Sequence, residues 1–132
     1  MVDIEDAFPG FGVGEIAPAV AFYREALGLP VDEDAMPGSF TLTLPSGQQV
    51  FAYERPGHVP AEFTILNFVV ADIDAAVDAL NAAGVTTKLY SGDEDFGTDE
   101  RGIARSDDPS GGPAGIAWFR DPSGNVLSVI QQ

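Results

Sequence analysis

Apolar residues crowd two short stretches near the end of the chain, 116–119 and 126–130, and the five residues between them, Asp121-Pro122-Ser123-Gly124-Asn125, all have turn chemistry. Two alternating apolar runs around such a segment predict a β-hairpin. Pro122 presets φ for the first corner, Gly124 accepts positive φ, and the side chains of Asp121 and Asn125 can bond nearby backbone. Strand side chains alternate between faces, so Val126, Ser128 and Ile130 share one face and Leu127 and Val129 the other. Ser128 is the polar exception in an apolar row.

Residues 8–14 alternate in another way, with Gly10, Gly12 and Gly14 on one face of a short strand and Phe11 and Val13 on the other. A face without side chains suits close approach by another backbone or a ligand, or a plain edge strand. The glycines do not form a dinucleotide loop, because the third glycine position holds Glu15. From residue 15 the period lengthens: Ile16, Val20, Tyr23 and Leu27 fall on one helical face, Pro18 fits the first turn and Gly28 supplies the stop. Phe22 and Tyr23 read as packing. A polar connector containing Asp32, Glu33 and Asp34 follows. Residues 40–44 then alternate, and Pro45-Ser46-Gly47 turns the chain into residues 49–53, a second hairpin. Residues 54–60 read as a linker. It carries the sole histidine, His58, which is either solvated or a candidate acid or base; Pro56 and Gly57 prevent a helix that would align it with Glu54. Residues 63–70 read as a strand, and Asp72 caps a helix with Ile73, Val77 and Leu80 inward and Gly84 as its stop.

The order of elements has then repeated. A shift of 57 residues superposes Val13, Ile16, Ala19 and Val20 on Val70, Ile73, Ala76 and Val77, and a shift of 77 superposes Pro45-Ser46-Gly47 on Pro122-Ser123-Gly124. The chain is an internal duplication. Its second half carries 20 additional residues between helix and hairpin. They fall within 91–115, an acidic, glycine-rich stretch with Phe96 and Ile103 among few apolar residues, expected to form a long surface excursion of the kind that serves as a lid or binding loop.

At 132 residues and 45% hydrophobic, the chain suits a single domain with a real core. It has no cysteine, so disulfides, thiolate metal sites and thiol nucleophiles are excluded, which suits a reducing cytoplasm. No apolar run is long enough for a leader or a membrane span. Six basic residues against twenty-one acidic ones give a net charge of −15, which opposes nucleic acid as a partner. The acidity serves solubility in a salty cytoplasm, or it attracts a cationic ligand.

The segments V-G-E-I-A-P-A-V-A-F-Y-R-E-A-L-G-L, V-A-D-I-D-A-A-V-D-A-L-N-A-A-G and D-P-S-G-N-V-L-S-V-I-Q, in this order and duplicated at these spacings, resemble the glyoxalase/bleomycin-resistance/dioxygenase family, the vicinal oxygen chelate superfamily. The resemblance spans nearly the whole chain. It implies an α+β fold of two βαβββ modules in one chain, forming a curled mixed sheet around a cleft with helices on the convex side, and often a homodimer. Residues 1–132 would then be one such domain, with module one at about 1–55, a linker at about 56–62 and module two at about 63–132.

Metal-using members of that family place His, Gln or Glu in the first strand of each module and Glu in the last. The aligned positions here are Phe8, Ile65, Phe51 and Ser128. None suits a divalent ion, which wants several carboxylate or imidazole donors, so no metal and no cofactor is expected. The cleft residues that remain are Phe8, Phe51, Tyr53, Ile65, Asn67 and Ser128, which make either a small-molecule pocket or a filled, vestigial interior. Trp118 lines that pocket or packs beneath the helices. The resemblance therefore implies binding of a small, partly hydrophobic organic molecule in a metal-free cleft, as in antibiotic sequestration. The alternative is a glyoxalase-like lyase or isomerase, or a dioxygenase, with Tyr53, Glu54 or His58 as acid or base in a metal-free version.

Overall fold

A computed structural model of the chain describes residues 1–90, 97–106 and 112–132. It divides into two compact units, Met1–Pro60 and Ala61–Gln132. Among the described residues, each is an α+β unit with the order strand, helix, three strands.

In the first unit, β1 (Gly10–Val13) leads into α1 (Ile16–Ala21), and β2 (Val31–Asp32), β3 (Ser39–Thr43) and β4 (Gln49–Glu54) follow. The sheet order is β1-β4-β3-β2, with β1 parallel to β4 and the other pairs antiparallel. One face carries Val13, Phe40, Leu42, Val50 and Ala52, all buried. Tyr23, also buried, seals it, with its ring 5.7 Å from Phe11 and 6.0 Å from Phe40. The expected helix over 15–27 is present, but its second half is a π turn, Phe22–Ala26. Leu27 N–H reaches back to Phe22 O at 3.2 Å, and Leu29 N–H to Tyr23 O at 3.0 Å. This wider turn is compatible with the packing of Phe22 and Tyr23 edge to face.

The second unit repeats this plan with β5 (Thr64–Val69), α2 (Ile73–Ala82), β6 (Ile103–Ala104), β7 (Gly115–Arg120) and β8 (Val126–Gln131) in the order β5-β8-β7-β6. Asp72 caps α2 by accepting Ala75 N–H at 3.2 Å, and the Gln131 side chain accepts Ile73 N–H at 2.9 Å. The first turn of α2 is thereby tied to the end of β8. At the other end Val85 N–H bonds Leu80 O at 2.9 Å, with Gly84 at φ +85°, closing the helix with the αL residue its sequence calls for. α2 covers the face bearing Ala117, Phe119, Leu127 and Val129, all buried. A Cβ on Gly115 would stand 2.8 Å from the Ile73 side chain.

The hairpin turn follows its sequence closely. Asp121 Oδ1 accepts the N–H groups of Ser123 and Asn125 at 2.9 Å each, Oδ2 accepts the Asn125 amide at 2.9 Å, and Gly124 lies at φ +86°. The stretch 91–115 departs from a simple surface excursion. Its residues 91–96, with Phe96, and 107–111 lie outside the described ones, but Ile103 is buried and pairs with Ala117 as part of β6. A single buried isoleucine in a two-residue strand gives no periodicity to read.

Candidate functional site

The face of the first sheet turned away from α1 carries Gly10 and Gly12 on β1, Gln49, Phe51 and Tyr53 on β4, and Ser39 and Thr41 on β3, as the register and strand alternation require. Phe51 and Tyr53 stack, with ring centroids 5.8 Å apart and planes 21° apart. Phe8, exposed and ahead of β1, meets the Phe51 ring edge to face at 6.4 Å. Beside these rings lies a pocket of about 500 Å³ lined by Asp6, Phe8, Thr41, Gln48, Gln49 and Phe51. Two of the sequence candidates, Phe8 and Phe51, thus line one cavity, and Tyr53 backs it through Phe51.

The glycine face of β1 is approached closely, as its composition implies, by side chains of the following linker. A Cβ on Gly12 would lie 3.0 Å from Arg55 Cδ and 3.2 Å from His58 Nδ1. His58 is therefore not a solvated linker residue. It is half-buried, and its Nε2 is buried without a hydrogen-bond partner among the described residues. Arg55 N–H bonds Val13 O at 2.9 Å and His58 N–H bonds Arg55 O at 3.1 Å, which fold the linker back over the strand.

In the second unit Asn67, Ser128 and Trp118 stand side by side on β5, β8 and β7. Trp118 is on the face opposite Gly115 and α2, which settles its orientation: it does not pack beneath the helix. Its ring meets Tyr90 edge to face at 5.6 Å. Ser128 is fully buried, and its hydroxyl donates to Asn67 Oδ1 at 2.6 Å. Ile65 has no partner in the β5–β8 register, which shifts between Thr64 and Leu66 at a bulge.

The positions aligned with the family's metal ligands do not fit a divalent ion. In the first unit Phe8 and Phe51 offer no lone pair; in the second Ile65 offers none, and the Ser128 hydroxyl hydrogen is directed at Asn67. Among the described residues, no group of three or more His, Asp or Glu side chains is placed to hold a metal ion.

A charged cluster fixes the described part of the long insertion. Arg101 bonds Asp74 and, at 2.8 Å, Asp78, and Arg105 bonds Asp74 at 2.6 Å. Hydrogen bonds from Arg105 first and Arg101 second hold the Asp74 carboxyl below its ordinary value, and the same contacts raise both arginines. Thr87 Oγ1 donates to Arg101 O at 2.6 Å, and Lys88 Nζ donates to Thr98 Oγ1 at 2.5 Å. Residues 97–106 are thereby strapped to α2 and the loop after it.

A profile of the Glyoxalase/Bleomycin resistance protein/Dioxygenase superfamily matches residues 8–129. No curated protein matches the chain by sequence. Among solved structures, a member of the same superfamily from Sphaerobacter thermophilus is 22% identical with a TM-score of 0.67, covering 96% of this chain and 98% of its own. An antibiotic binding protein from Streptomyces sp. CB03234 is 20% identical with a TM-score of 0.62, covering 96% and 95%. A lactoylglutathione lyase from Agrobacterium tumefaciens is 16% identical with a TM-score of 0.65, covering 98% and 95%. At these identities the likeness is one of fold, and that fold carries binding proteins and enzymes alike.

Proposed function

The chain belongs to the glyoxalase/bleomycin resistance protein/dioxygenase superfamily, and on that premise we propose that it binds a small, partly hydrophobic organic molecule without a metal, as an antibiotic-sequestering protein does. The observation that carries this reading is the pocket of about 500 Å³ on the first sheet, where Phe8 and Phe51 form an aromatic corner and Thr41, Gln48 and Gln49 supply a few polar groups. The lining sets these two rings against four polar side chains, Asp6 included, so it offers apolar contact and hydrogen bonds to one small molecule. The residues aligned with the metal ligands speak against the metal-dependent lyases and dioxygenases.

Native mass spectrometry of the protein incubated with a library of antibiotics and other small organic molecules tests this. The expected result is a one-to-one adduct that survives metal chelation and is lost in Phe51→Ala, whose circular dichroism stays that of the folded chain. A library-wide absence of adducts, or adducts that require an added divalent ion, would contradict it.

A further inference from the structure

We infer that Arg101 is a positioning residue of the second unit, a role separate from the pocket of the first: from the strap 97–106 it sets the Tyr90 ring against Trp118, on the face of the sheet opposite α2. Residues 85–90 carry no helix or strand, so no ladder of their own holds Tyr90 in place. Contacts with the strap hold them instead. Thr87 Oγ1 donates to Arg101 O at 2.6 Å and Lys88 Nζ donates to Thr98 Oγ1 at 2.5 Å, while Gly102 lies against Thr87 O with no room for a Cβ between them. The Thr87 hydroxyl has a second neighbour, Asn81 Oδ1 at 3.1 Å, but its one hydrogen favours the shorter contact. Tyr90 follows two residues after Lys88, and its ring meets Trp118 edge to face at 5.6 Å.

Arg101 can pass on a position because its carbonyl and the root of its side chain belong to one closed turn. Asp99 Oδ1 accepts the N–H groups of Arg101 and Ile103 at 2.9 Å each, Asp99 N–H bonds Ile103 O at 2.9 Å, and Gly102 N–H bonds Asp99 O at 3.0 Å. The turn therefore moves as a piece. Ile103, buried and paired with Ala117, pins one end of it. A two-residue strand by itself is a hinge, and the Arg101 guanidinium, bonded to Asp74 and Asp78 on α2, closes that hinge. All three of these charged side chains are exposed, so their pairs add little to overall stability. What they decide is where the turn sits, and with it the Arg101 carbonyl, Thr87 and Tyr90.

Trp118 is the only tryptophan in the chain, so the fluorescence of the full protein reports on this one contact, and Tyr90→Ala supplies the emission of the uncovered indole. Arg101→Glu, which sets a carboxylate against Asp74 and Asp78, is expected to move the emission by more than about half of the Tyr90→Ala change, and to add nothing on a Tyr90→Ala background. Asp78→Arg combined with Arg101→Glu re-forms the pair with its signs exchanged; the expected result is the native emission and the native NOEs between the Tyr90 and Trp118 rings. Arg24→Glu, the same charge change at the exposed Arg24–Glu33 pair of the first unit, leaves the emission native. If circular dichroism shows that Arg101→Glu unfolds the chain, Arg101→Gln replaces it, with a smaller shift of the same sign. Native emission in a folded Arg101 variant overturns the assignment. A shift that persists in full on the Tyr90→Ala background, or that the exchanged pair does not rescue, also overturns it, because Arg101 then acts through the fold of the unit and not through Tyr90. Emission unchanged by Tyr90→Ala removes the ring contact and the positioning role with it.

Discussion

Ser128 and Asn67 are joined by a 2.6 Å hydrogen bond across paired strands, and the positions related to them by the two sequence shifts, Phe51 and Gly10, are paired in the same register in the other unit. A polar pair in one half thus answers an aromatic ring beside a glycine in the other. The Ser128 hydroxyl is fully buried, whereas Asn67 is exposed, so the two ends of the bond are not equivalent. Ser128→Ala removes the buried group along with its bond and is expected to cost about 0.5–1.5 kcal/mol; Asn67→Ala leaves a buried hydroxyl without its acceptor and is expected to cost about 1–3 kcal/mol. Urea midpoints of the two variants check the order, and a larger loss in Ser128→Ala would contradict it.

Gly102, at φ +87°, passes so close to residue 87 that a Cβ there would stand 1.9 Å from Thr87 O. Backbone cannot yield as a side-chain tip can, and the φ is itself unfavourable for other residues. Gly102→Ala is expected to destabilise the protein by at least about 2 kcal/mol, read as a fall in the denaturant midpoint. A change within about 0.5 kcal/mol, the range of ordinary surface substitutions, would mean that the strap does not lie against Thr87.

The Asp74 carboxyl, lowered by Arg105 and Arg101, is ionised in the fold to a lower pH than in the unfolded chain. The unfolded chain therefore binds more protons at low pH. The contribution of this cluster is complete above the ordinary carboxyl value of 3.8 and is lost as pH falls through the lowered one. The side-chain carboxyl carbon signal of Asp74 is expected to hold steady from neutral pH to about pH 4 and to move below it. A transition centred between pH 5 and 7 would show that another group governs the strap.

Gly124 at φ +86° closes the Asp121–Asn125 turn. Gly124→Val forces a β-branched residue into that region and is expected to cost about 1–3 kcal/mol. An unchanged denaturant midpoint would contradict the turn.

The duplication was legible because each half repeats its turn residues and helix periods, and the shifts of 57 and 77 residues read from the sequence reproduce the strand register, Gly10 with Phe51 and Asn67 with Ser128. What escaped was too short or too distant to leave a period. β2 and β6 are two residues each, and Val31-Asp32 sits in a run that reads as polar connector. The contact of His58 with β1 joins residues 46 positions apart; its only local signal was the glycine at residue 12, which marks a close approach without naming what approaches. The π turn at 22–26 obeys the same apolar spacing as an α-helix over so short a span. At the pocket, Phe8 and Phe51 were visible as aromatic residues at ligand positions, but Asp6 was not, because an acidic residue in an acidic segment carries no distinguishing pattern.

The most direct test of the account is amide shift mapping of the chain titrated with fragment-sized aromatic molecules. Binding is expected to be saturable, to perturb Phe8, Thr41, Gln48, Gln49 and Phe51, and to disappear in Phe51→Ala. Saturable shifts centred instead on Asn67, Trp118 and Ser128, or shifts that appear only with an added divalent ion, would contradict it.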